Sequence, residues 1–174
     1  MGSPWAQDPP SYATVEHFET SAEKDTSVTT VDNWHGWKQT RTVYVYHEGP
    51  VIIFDQAVGP MDGDAALAWH LAGKSAVRNQ PITLANNKSA EMILLSLGSD
   101  ETRIEMLADD DELTSFQLVP TDSTRGRLNS IAIFLTGPWL GAKAGLVQEL
   151  GKTTLRIAQP DREIIVPLAL DNAP

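Results

Sequence analysis

The feature that most constrains this chain is a succession of short apolar segments, each closed by a turn-forming residue. "PITLA", "AEMILLSLG", "TRIEMLA", "TSFQLVP", "NSIAIFLTG", "TTLRIAQ" and "REIIVPLAL" follow one another through the second half. Ahead of them stand "YATVEHFET" (residues 12–20) and "TSVTTVDNW" (26–34), the latter rich in β-branched residues that suit a pleated surface. Strand-like runs recurring roughly every 8–12 residues, with Gly, Pro, Asn or Asp between them, indicate a β-sandwich or barrel. The expectation is an all-β sandwich of about twelve short antiparallel strands in two sheets packed face to face. Residues 1–11, with "QDPPS", read as a tail, and residues 12–174 as one β-sandwich domain.

The stretch "TRTVYVYHEGPVIIFDQAVG", Thr40 to Gly59, carries the sharpest local signal. Two apolar runs flank Glu48-Gly49, which reads as a two-residue turn with Gly49 supplying positive φ. That turn predicts Tyr46 opposite Val51, Tyr44 opposite Ile53 and Thr42 opposite Asp55. Both faces are apolar near the turn, so the hairpin is expected to be covered on both sides. Pro50 has no N–H to donate and can only open its strand. Asp55, closing the run Val51-Ile52-Ile53-Phe54, either ends the strand, pairs with a cation such as Arg41 through a bulge, or points into a site. "AALAWHLAG" (65–73) is a helix by propensity and a strand by context. As a strand it puts Trp69 and Leu71 on one face and His70 on the other.

Composition removes several functions. The net charge of −10 argues against nucleic acid, whose binders need a basic footprint. Without cysteine there is no disulfide framework, zinc ribbon or thiol nucleophile. No apolar run is long enough to span a bilayer, and no basic stretch followed by an apolar core marks a leader. Nucleophile-elbow, Walker, dinucleotide and zincin motifs are missing. "DDDEL" (109–113) lacks the spaced ligands and glycine of a calcium loop and reads as a solvated turn. "GPWLGAKAG" (137–145) reads as a loop between strands.

Histidine beside tryptophan is the residue pattern that remains. His35 lies between Trp34 and Trp37, and His70 follows Trp69. A flat indole face with a polar tip nearby suits a pyranose ring, which makes Trp34, Trp37 and Trp69 candidate carbohydrate-binding residues, with Trp139 a further stacking face. The same pattern also describes an ordinary sandwich core. The closest histidines, His35 and His47, are twelve residues apart, so the paired histidines of a cupin-type enzyme are missing.

Residues 30–73 resemble the C-terminal β-sheet domain of heparinase II/III-like polysaccharide lyases. The resemblance rests on Arg41, the alternating Val43 and Val45, the run Val51 to Phe54, Asp55, and Trp69-His70-Leu71. It implies a β-rich domain that accompanies a helical toroid in enzymes cleaving uronic-acid glycans by β-elimination. The family's catalytic asparagine, arginine and tyrosine have no counterparts to carry over, so no catalytic residue is assigned and the chain is not expected to be an enzyme alone. The resemblance also implies a metal on the β-sheet, zinc or another divalent cation, with His35, Asp55 and His70 as ligands. His35 stands six residues before Arg41, with Gln39 in the nearer place. The implied partners are a polysaccharide and a toroid, and the implied compartment is bacterial periplasm or exterior.

Overall fold

The computed structural model describes residues 12–60, 66–72, 75–76, 82–84, 90–96, 102–109, 113–120, 126–149 and 152–168. The tail 1–11 and the acidic residues 110–112 lie outside these. The first strands are β1 (Thr14–Thr20), β2 (Lys24–Trp34), β3 (Trp37–Tyr46), β4 (Val51–Val58) and β5 (Leu67–Ala72). The short β6 (Ser75–Ala76) and β7 (Ile82–Leu84) follow, then β8 (Ala90–Ser96), β9 (Thr102–Asp109) and β10 (Leu113–Pro120). β11 (Arg127–Thr136) leads through a 3₁₀ turn (Gly137–Trp139) to β12 (Lys143–Glu149), β13 (Lys152–Ala158) and β14 (Glu163–Leu168). "AALAWHLAG" is therefore a strand, and the end of "GPWLGAKAG" already belongs to β12.

The all-β antiparallel expectation holds, and the layering is richer than two sheets. An eight-stranded sheet runs β1-β2-β3-β4-β11-β8-β7-β6, and two three-stranded sheets, β5-β10-β9 and β12-β13-β14, accompany it. Each small sheet shares a core with the large one. Ile52, Phe54, Ile131, Ile133 and Leu135 of the large sheet cluster with Leu155, Ile157 and Val166. Met92, Leu94, Leu128 and Ala132 cluster instead with Leu67, Leu71, Phe116 and Leu118. Successive residues of β4, β8 and β11 thus alternate between two cores, as strand geometry requires. This explains why "VIIF" and "IAIFL" are unbroken apolar runs: both faces of these strands are buried. Truncating one such fully buried residue, Ile133→Ala for example, costs about 2–5 kcal/mol.

The β3–β4 hairpin departs from its predicted register by one residue. Val45 pairs with Val51, Tyr44 with Ile52, Thr42 with Phe54, and Arg41 with Asp55. The cause is the turn: four residues, 47–50, connect the strands, closed by Gly49 N–H to Tyr46 O at 3.1 Å and Tyr46 N–H to Pro50 O at 3.2 Å. Gly49 is not in the left-handed region. Its need is for space, because a Cβ there would lie 2.7 Å from the Cβ of Tyr46. The tight two-residue turn belongs instead to β2–β3. His35 and Gly36 take φ of 52° and 81°, the pair of positive angles that a type I′ hairpin demands, and Trp34 faces Trp37 across it.

Candidate functional site

The register places Arg41 directly opposite Asp55, with no bulge between them. Arg41 grips the carboxylate with two parallel hydrogen bonds, Nε to Oδ1 at 2.7 Å and Nη2 to Oδ2 at 3.0 Å. The Gln39 amide donates to Oδ1 at 3.4 Å. Asp55 is buried, with 3% of its surface exposed. The guanidinium carbon of Arg41 lies 5.6 Å from the centre of the Trp69 ring, within cation–π range. Trp69 in turn tilts against Phe134 at 5.9 Å. Trp69 reaches this position because it alternates with His70 along β5, so its indole enters the core beneath β4 and β11. A bidentate Arg–carboxylate fork is the strong form of the ion pair, and it occupies both oxygens of Asp55.

His70 sits on the other side of β5, exposed, with Nδ1 2.8 Å from Ser115 Oγ on the neighbouring strand β10. His35 occupies the β2–β3 turn, its ring edge-on to Trp34 at 5.4 Å. His35, Asp55 and His70 therefore stand in three separate settings. Among the described residues no three His, Asp or Glu side chains gather as a metal ligand set.

The tryptophans also divide. Trp34 and Trp37 share the hairpin tip, both half-buried. The Trp37 ring is seated on the backbone of Gly59, where a Cβ would fall 2.2 Å from a ring carbon. Trp69 is half-buried under Arg41. Trp139 is a core residue, 5% exposed, whose Nε1 donates to the Glu48 carbonyl at 2.8 Å. It offers no stacking face to a solvent-borne sugar.

One surface feature escaped the sequence. All seven residues of the edge strand β1 are exposed. Its apolar side chains include Val15 at 62% and Phe18 at 67%, with Tyr12 just before the strand at 71%. Val15 and Phe18 look like core residues by type, so nothing in the alternation of "TVEHFET" distinguished them.

No protein-family model matches the chain, and no curated protein sequence matches it. Solved structures do match. A heparan sulfate lyase from Pedobacter heparinus superposes with a TM-score of 0.62 at 14% identity, over 92% of this chain and 28% of that one. A heparinase III superposes with a TM-score of 0.61 at 8% identity, over 91% of this chain and 27% of its own. The fold is thus that of an antiparallel β module found within heparinase-type lyases. This chain spans little more than a quarter of those enzymes' length.

Proposed function

We propose that this chain serves as a non-catalytic β module of a heparinase II/III-like polysaccharide lyase, handling a uronic-acid glycan alongside a helical toroid. The observation that carries the reading is the asymmetry of the match: nearly all of this chain corresponds to about a quarter of a lyase chain. The uncovered β1 strand supports the docking half. Exposed Tyr12, Val15 and Phe18 give it three large apolar side chains open to a partner. Glu16 and Glu19 on the same strand, together with its register shift between Val15 and His17, guard that edge against indiscriminate pairing.

Two assays test it. Incubated with heparan sulfate, the isolated chain is expected to generate no ultraviolet absorbance of unsaturated uronate; turnover by the chain alone would make it an enzyme in its own right. Hydrogen exchange at the β1 amides is expected to be fast in the isolated chain and slowed by a separately expressed heparinase-type toroid. Unchanged exchange at saturating toroid would defeat the docking role. A second reading, a carbohydrate-binding module, is favoured by the Trp34–Trp37 pair at the hairpin tip. Quenching of tryptophan fluorescence by a neutral glycan, lost in Trp34→Ala, would select it.

A further inference from the structure

Three turns from different parts of the chain converge around a pocket of about 380 Å³. The β3–β4 turn contributes His47 and Glu48, the end of β11 and the 3₁₀ turn after it contribute Thr136 and Trp139, and the β13–β14 turn contributes Arg162. The three are fastened to one another. Trp139 Nε1 donates to Glu48 O at 2.8 Å. Gln159 of the β13–β14 turn donates its Nε2 to Leu140 O at 3.1 Å, and its backbone N–H closes its own turn on Arg162 O at 2.9 Å. The pocket is therefore built on fixed backbone rather than on free loops.

Its most distinctive element is the Arg162 guanidinium, whose carbon lies 5.4 Å from the Trp139 ring centre. Because Trp139 is locked in the core, the cation rests on an immobile platform, so little side-chain freedom remains to be lost on binding. Nε lies 3.5 Å from Asp161 Oδ1, an exposed ion pair of small worth. Among the described residues its terminal nitrogens have no hydrogen-bond partner, and those nitrogens form the fork that suits a carboxylate. His47 is a wall and not a donor here, since its two ring nitrogens lie 3.3 Å from Ala22 O and from Asp25 Oδ1. Thr136 is exposed on the rim and supplies a hydroxyl.

We infer that this pocket binds a small carboxylate carried on a hydroxyl-rich ring, a sugar acid, with Arg162 holding the carboxylate and Thr136 a ring hydroxyl. The volume sits at the lower end of the range for small-ligand sites, enough for one or two sugar rings. Glu48, Asp161 and the net charge of −10 oppose any anion, so they weaken the binding. This inference stands on the pocket alone and does not depend on docking or on the lyase likeness.

The test is a titration of the isotope-labelled protein with glucuronate, glucose and acetate, followed by backbone amide shifts. Glucuronate is expected to shift amides of residues 47–49, 136–140 and 162, with glucose and acetate at least tenfold weaker. Arg162→Gln should abolish the glucuronate shifts, and Thr136→Val should weaken them several-fold while the rest of the spectrum stays folded. Shifts by glucose equal to those by glucuronate, or shifts surviving in Arg162→Gln, would overturn the assignment. Equal response to acetate would reduce the pocket to a bare anion site and overturn the sugar-acid reading.

Discussion

Removing Arg41 should cost more than removing the charge of Asp55, although the two residues form one pair. The asymmetry follows from exposure: the Asp55 side chain is 4% exposed and that of Arg41 37%. In Arg41→Met the carboxylate stays buried, with only the Gln39 amide left to it. Losing one partner of a fully buried pair costs about 3–5 kcal/mol, and the solvent-open side of this pair places Arg41→Met near the lower figure, about 3 kcal/mol. In Asp55→Asn the stranded guanidinium can reach water, and the loss falls to about 1–2 kcal/mol. Replacing both, Arg41→Met with Asp55→Leu, should recover most of the loss, because no buried charge remains. Urea unfolding at constant slope measures each variant, and the double-mutant cycle, closed with the single Asp55→Leu, isolates a coupling of at least about 1 kcal/mol. For a chain of this size, about 3 kcal/mol lowers Tm by roughly 6–12 °C. Strict additivity in the cycle, or an Asp55→Asn loss equal to that of Arg41→Met, would refute the reasoning. So would stoichiometric zinc in the purified protein that disappears with Asp55→Asn, since the carboxylate would then serve a metal.

Two further predictions concern the same sheet. Burial pushes the Tyr44 hydroxyl pKa above its ordinary value near 10; burial, then Tyr44 and Glu23, push that of Tyr46 up as well. The folded state therefore favours the neutral phenols. Their contribution is fully present below pH 10 and is lost as pH rises through the higher folded values. Unfolding midpoints should fall above pH 10, and less steeply in Tyr44→Phe/Tyr46→Phe; an unchanged slope in that variant would contradict the assignment. Gly59→Ala should destabilise by about 1–3 kcal/mol, because its methyl would enter the Trp37 ring. Gly59→Ala/Trp37→Ala should lose less than the two single losses added together, and simple additivity in thermal melts would show that the ring is not the obstacle.

Much of the fold was legible because the strands announce themselves by alternation and by their closing turn residues. The apolar residues on both faces of Val51–Phe54 correctly required cover on both sides, and the Trp69/His70 alternation correctly put them on opposite faces of β5. Which segments supply the cover was not legible, since alternation gives the number of buried faces and not the partners. The hairpin register slipped because Glu48-Gly49 resembles a two-residue turn, whereas Pro50, with no N–H to donate, joins the pairing only through its carbonyl and the connection runs over residues 47–50. That one-residue difference sets Arg41 instead of Thr42 against Asp55, so the ion pair needs no bulge. The Arg162 pocket left no trace in the sequence, because its walls come from three turns far apart in the chain.

The pairing of β4 with β11 has a consequence for synthesis. Strands β1 to β4 form a meander from adjacent sequence, yet the partner of β4 is translated roughly 70 residues later. At ordinary elongation rates that interval lasts about 3–15 s. During it the nascent sheet ends in the open backbone edge of "VIIFDQAV", a template for any other extended chain. Yield in the cell should therefore depend on how that edge is shielded before β11 emerges, and chains cut short between residues 60 and 126 should aggregate instead of forming a smaller stable sheet.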